Sequence, residues 1–246
     1  MRMASPYSRR DFVAFSVVGP LVGWMPWFRP KEVALGELRF RIVRNRRSTR
    51  RYVLLNGDAE GARQLLLHHM ESQRGTAYLI EGSAREVQIA GGKLDPNRMF
   101  SRGGAEESLR SLNPAWKDGQ VTAALDQLDS QREKLLEALM PPGGGLLIAL
   151  GGSAGSAMDA AATAGQRSLP QPDKPQTFYL CTDPADYQTL AASPYNVVLV
   201  RNVRARDDGS LERRAAARNV RFLGIEGRPG DPAQREMLAW AEAHLP

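Results

Sequence analysis

The sequence predicts an α/β protein, in which a mixed, mainly parallel sheet is covered by helices on both faces as a three-layer sandwich. Three observations carry that expectation. From residue 37 onward, short apolar and β-branched runs alternate with longer segments of helical period, the pattern of strands joined by covering helices. The run Gly145-Leu146-Leu147-Ile148-Ala149-Leu150 is apolar without alternation, as a strand buried on both faces demands. Turn signals, Asn56-Gly57 and Gly151-Gly152, follow directly on strand candidates. A chain of 246 residues can bury one substantial core, so residues 37–246 are expected to form a single α/β domain behind an N-terminal segment, 1–36.

That first segment has its own character. Ser8-Arg9-Arg10-Asp11-Phe12-Val13 precedes an apolar stretch from Phe12 to Phe28 that is interrupted by Gly19, Pro20, Gly23 and Pro26. Two adjacent arginines, a nearby Phe and a weakly hydrophobic run resemble a twin-arginine export signal, which implies a periplasmic protein; the alternative is a cytoplasmic protein with an N-terminal tail. Two prolines and two glycines make a poor spanning helix, so membrane contact is expected only through an uncleaved signal. Ala34-Leu35-Gly36 is the one small-x-small site in range, and it serves equally as the opening of a first strand.

Leu38, Phe40 and Ile42 alternate with arginine as a half-buried strand should. The formal charge of +6 has one concentration, Arg39, Arg41, Arg44, Arg46, Arg47, Arg50 and Arg51, which reads as the solvated face and turn of a hairpin. No aromatic interleaving or nucleic-acid motif accompanies it, so no nucleic-acid partner is expected. Arg51 to Asn56 is the next strand, and Glu60 to Gln73 carries Ala62, Leu65, Leu66 and Met70 at helical spacing before Gly75 stops it. Thr76 to Glu81 and Arg85 to Ile89 are strands. Ala105 to Leu112 and Val121 to Met140 are helices, the second with Leu125, Leu128, Leu135, Leu136 and Leu139 on one face and charges opposite.

After the Gly145 strand, Ala157 to Ala164 has helical composition, and Gly165 to Pro175 is expected to be a Pro- and Ser-rich loop. Thr177 to Thr182 and Asn196 to Arg201 are strands around a helix from Pro184 to Ala192. Ser210 caps a short helix to Asn219, Val220 to Glu226 is the last strand, and Pro232 to Leu245 is a closing amphipathic helix. The single Cys181 lies in the run Phe178-Tyr179-Leu180-Cys181 and is expected to be a buried, inert thiol.

Ligands of such folds sit outside the carboxyl ends of strands, where Gly57, Gly151 and Glu226 fall. The stretch Asp95-Pro96-Asn97-Arg98-Met99-Phe100 places a guanidinium beside an amide after the Gly91-Gly92 break. Arg98 offers a planar fork of donors that fits a carboxylate bidentately, with Asn97 as a further donor. Equally, the hexapeptide is a turn that ties down its own backbone. Gly151-Gly152-Ser153-Ala154-Gly155 satisfies Gly-x-Ser-x-Gly after a buried strand, the setting of a nucleophile elbow. Ser153 would then need His244 as its base and Asp183 or Asp207 as the acid.

Asp95 to Phe100 resembles the Asp-x-Asn-Arg-x-Phe motif of the zinc carboxypeptidase superfamily, in its aspartoacylase and succinylglutamate desuccinylase branch. Gly224-Ile225-Glu226-Gly227 is similar to the strand end where that family carries its catalytic glutamate, and the element order from Arg51 to about Gly230 is similar as well. The resemblance implies that Asn97 and Arg98 hold a substrate carboxylate and that Glu226 occupies the general-base position. It also implies a zinc ion held by His-x-x-Glu after the first buried strand and by a later His. Here those positions are Asn56, Ala59 and Gly151, so the expected ligands are absent and no cofactor is predicted. Without three ligands, zinc cannot bring the pKa of its bound water from 15.7 to about 7. His68 and His69 lie too far along their helix, on the order of 12 Å, to substitute for Asn56. The expected function is therefore binding of a small carboxylate-bearing molecule, an N-acyl amino acid or peptide end, without metal-dependent hydrolysis. The alternatives are a serine hydrolase using Ser153 and a metallohydrolase with unusual ligands at Asp58, Glu60 and Glu226.

Overall fold

The structure, a computed structural model, describes residues 33–151, 165–200, 207–227 and 232–246. In chain order the strands are β1 (Val33–Leu35), β2 (Leu38–Asn45), β3 (Arg51–Leu54), β4 (Gly75–Ile80), β5 (Val87–Ile89), β6 (Gly92–Leu94), β7 (Leu146–Gly151), β8 (Gly165–Ser168), β9 (Phe178–Cys181), β10 (Asn196–Val200) and β11 (Arg221–Glu226). Six helices are described: α1 (Glu60–Ser72), α2 (Arg102–Leu112), α3 (Asp118–Leu139), α4 (Pro184–Leu190), α5 (Leu211–Ala217) and α6 (Pro232–His244). β5 and β6 form a separate hairpin, and the other strands make one nine-stranded sheet in the order β1-β2-β4-β3-β7-β11-β9-β10-β8.

The α/β class is as expected, and the sheet is mixed in a definite way. The central run β4-β3-β7-β11 is parallel throughout, as is the pair β9-β10, whereas β1-β2, β2-β4, β11-β9 and β10-β8 are antiparallel. Because β9 runs against β11, β9 and β10 begin at the edge where β3, β7 and β11 end.

Strand alternation sorts the core into two layers, since successive side chains point to opposite faces. Val53, Leu55, Leu147, Leu180 and Phe222 face α2, α3 and α5, while Tyr52, Leu54, Ile148, Cys181 and Leu223 face α1, α4 and α6. Helices therefore cover both faces, an arrangement compatible with a three-layer sandwich. The leucine stripe of α3 (Leu125, Leu128, Leu135, Leu136, Leu139) is buried, at about 1.5–3 kcal/mol for each side chain removed from water. Arg132 lies on that same buried stripe, so the charges of α3 are not all opposite it. Its guanidinium donates from Nε to Met99 O at 2.8 Å and pairs with Asp129. Burial, with Arg214 and Arg102 close by, pushes its pKa down to about 10.

Several expectations change. Gly165–Ser168 is an antiparallel edge strand rather than part of a loop. Its polar residues give no alternating pattern, because an edge strand buries little of itself. Arg39, Arg41, Arg44, Arg46 and Arg47 are exposed, as a solvated face requires, but their turn closes no hairpin: β2 pairs with β1 and β4, and the chain from Arg46 to Arg50 crosses to β3 on the far side of β4. Ala34-Leu35-Gly36 falls in β1 and its turn, and Leu35 is fully buried, so the folded domain starts before residue 37. The double-arginine stretch, Ser153 and the segment Ala157 to Ala164 lie outside the described residues. Among the described residues no helix is long and apolar enough to cross a membrane.

Candidate functional site

At the carboxyl edge of the parallel strands, the register decides what meets what. Glu226 at the end of β11 pairs with Gly151 at the end of β7. A Cβ on Gly151 would lie 2.5 Å from Glu226 Oε1 and 2.6 Å from Oε2, so the missing side chain leaves the space that the Glu226 carboxylate occupies. Behind them the buried Gln234 of α6 donates from Nε2 to Gly151 O at 2.6 Å and ties the helix to this strand end. Asn56, two residues past β3 and 5% exposed, turns the chain into α1 by accepting from Ala59 N through its carbonyl.

The loop that follows β6 reaches the same edge as a 3-10 turn, Pro96–Arg98. Asp95 Oδ1 accepts from Asn97 N and from Asn97 Nδ2, both at 2.9 Å. The same Nδ2 donates to Asn56 Oδ1 at 2.8 Å, which engages both amide hydrogens of Asn97. Met99 and Phe100 are fully buried, and their carbonyls accept from Arg132 Nε and, at 2.7 Å, from Arg214 Nε. Asp95 N adds a 2.9 Å bond to Ser108 Oγ. Asn97 is thus held from in front by Asn56 and from behind by α2, α3 and α5.

These elements enclose a cavity of about 80 Å³ lined by Val53, Leu55, Leu180, Leu211 and Phe222, with Asn97, Glu212 and Glu226 as its polar side chains. Burial pushes the Glu212 carboxyl above the usual carboxylate range, and neighbouring Asp208 pushes the same way against the pull of Arg98. Arg98 does not line this cavity. Its Nη1 lies 2.8 Å from Asp208 Oδ2, and its side chain is 45% exposed. Burial works to raise the Asp208 pKa, yet its hydrogen bonds to Ser210 and the guanidiniums of Arg98 and Arg213 outweigh it and leave the group below its ordinary value.

Of the residues singled out in the sequence, Asn56, Asn97, Gly151 and Glu226 therefore come together, and Arg98 stands beside them at the surface. Glu212 was not among them: in Ser210-Leu211-Glu212 it has the look of an ordinary first-turn acid, and only the fold turns it inward. His244 donates from Nδ1 to Trp240 O at 2.7 Å and stacks on Trp240 at the far end of α6, about 15 Å along the helix from Gln234 at 1.5 Å per residue. Asp183 caps α4 at the opposite sheet edge, and Asp207 is paired with Arg214.

The described residues at the positions expected to hold zinc do not fit that ion. Asn56 is committed to Asn97, Ala59 has no donor atom, and the space a ligand at 151 would fill belongs to Glu226. Among the described residues no three His, Cys, Asp or Glu side chains group closely enough to hold a metal, and this includes Asp58 and Glu60. A larger crease of about 430 Å³ lies between α1 and α6. Its acidic group, Glu242, is occupied by Tyr52 at 2.8 Å and Arg50 at 3.2 Å, with His69 at 3.5 Å, and serves to fasten α6 to the sheet. Set beside known proteins, the chain matches no family model, no curated protein and no solved structure.

Proposed function

We propose that this chain is a degenerate zinc-carboxypeptidase-like protein of the aspartoacylase and succinylglutamate desuccinylase type, which binds a small carboxylate-bearing molecule or peptide end without metal-dependent hydrolysis. One observation carries the reading. The positions that the resemblance assigns to a second ligand (Gly151), the general base (Glu226) and the substrate clamp (Asn97) line one cavity, and Asn97, from a distant loop, is hydrogen-bonded there to Asn56, the position of a first ligand.

In this reading the ligand's carboxylate is met by Arg98, whose half-exposed guanidinium stands one residue from Asn97 and can share its fork between Asp208 and an incoming anion. Calorimetric titration of the purified chain with N-acetylalanine and dialanine tests it, with and without added zinc. Binding is expected in both conditions, weakened at least tenfold by Arg98→Ala, with no release of alanine. Zinc-supported hydrolysis, or binding indifferent to Arg98→Ala, would overturn the reading.

A further inference from the structure

The chemistry of the cavity's wall says which end of a ligand it accepts. Among the described residues lining it, Asn97 is the only side chain with N–H donors, and both hydrogens are engaged by Asn56 and Asp95. The other polar side chains are the carboxyls of Glu212, from α5, and Glu226, from β11. A carboxylate brought here would meet acceptors like itself inside an apolar enclosure. An ammonium would meet complementary ones, and charge-assisted hydrogen bonds are strongest where water is excluded.

Resting on the ligand-site reading above, we propose that the cavity takes the primary ammonium group of the ligand, so that the ligand is a free amino acid, or a peptide with an unblocked amino end, whose carboxylate remains outside at Arg98. Size permits it: the cavity, about 80 Å³, exceeds the roughly 10–15 Å³ that a single water needs, and an ammonium is close to a water in size. Charge agrees too: burial and the neighbouring Asp208 work against a negative charge on Glu212, and an entering cation offsets both. An acylated amine brings no such charge, so a blocked ligand such as N-acetylalanine is held at Arg98 alone and binds more weakly than one with a free amine.

The test is a titration of isotope-labelled full chain with methylammonium chloride, sodium acetate and, as a cationic control without N–H donors, tetramethylammonium chloride, followed by the Asn97 side-chain amide, the Gly151 amide and the Arg98 Nε–H resonances. Methylammonium is expected to move the Asn97 and Gly151 signals saturably, tetramethylammonium to leave them, and Glu212→Gln and Glu226→Gln each to raise the apparent Kd at least tenfold. Two variants are made because either substitution can disturb folding, and the wild-type comparison stands without them. Silence of the Asn97 and Gly151 signals towards methylammonium, or a saturable response there to acetate, would overturn the proposal. An acetate response at Arg98 with no methylammonium response at the cavity would overturn it while leaving the carboxylate reading intact; a methylammonium response at the cavity with no acetate response at Arg98 would overturn the carboxylate reading instead.

Discussion

The bond between Asn97 and Asn56 is the joint on which the candidate site turns, and its contribution can be measured by a double-mutant cycle. Asn97→Ala removes two donations, one to the buried Asn56 Oδ1 at 2.8 Å and one to Asp95 Oδ1 at 2.9 Å. Leaving a buried acceptor without its donor costs about 1–3 kcal/mol, and the bond to the partly exposed carboxylate adds about 1 kcal/mol, so the variant is expected to lose about 2–4 kcal/mol. Asn56→Ala leaves Asn97 still bonded to Asp95 and should cost about 1 kcal/mol. Once Asn56 is gone, removing Asn97 strands no acceptor, so the double variant should recover about 1–2 kcal/mol relative to the sum of the singles. Urea unfolding of the four proteins at pH 7, with unchanged m-values as the check on two-state behaviour, reads this directly. A coupling within about 0.3 kcal/mol of zero would refute the account, since residues joined by a buried bond cannot be independent.

Three other outcomes are expected. Gly151→Ala sets a Cβ against the Glu226 carboxylate, the far end of a flexible side chain that can swing aside, and should cost no more than about 1 kcal/mol, read by the same unfolding assay. Glu212→Gln should be more stable than wild type at pH 7: a carboxyl with a raised folded pKa favours the fold at low pH and disfavours it progressively as pH rises above the unfolded value of about 4.5, a slope the variant should lack. Glu242→Gln should act in the opposite sense. Burial would raise that carboxyl, but His69, Arg50 and Tyr52 together leave it lowered, so the wild type holds this stability above the unfolded pKa and loses it as pH falls through the folded one. A thermal-melt series from pH 7 to pH 3 should show the variant with a shallower acid limb.

How far the sequence disclosed the fold depends on how local each cause is. The uninterrupted apolar run of β7 and the leucine spacing of α3 reflect burial felt by every residue in the segment, so the elements stand where the pattern puts them. β6, three residues of Gly92-Lys93-Leu94, and β8 take their definition from a partner strand and carry no period of their own. At the candidate site, Gly151 and Glu226 were readable because strand ends are where open α/β sheets gather function, and Asn56 only through the resemblance. Glu212 and Arg132 were not. Each is a charged residue in a helix, a type that is usually solvated, and each is turned inward by contacts far away in the chain. Arg132 did leave a trace, since it follows Leu128 by four residues and precedes Leu135 by three and so interrupts an apolar stripe with a charge.

The paired grip of Arg132 and Arg214 on the Met99 and Phe100 carbonyls has an evolutionary consequence. Both guanidiniums hold peptide oxygens rather than side chains, so the residues they secure can be exchanged for others of similar bulk without loosening the hold. A lineage on this scaffold can therefore rewrite what the loop recognises, at Asn97 and Arg98, while its course through space stays fixed by α3 and α5. Innovation at the tip and conservation at the root are mechanically separable here.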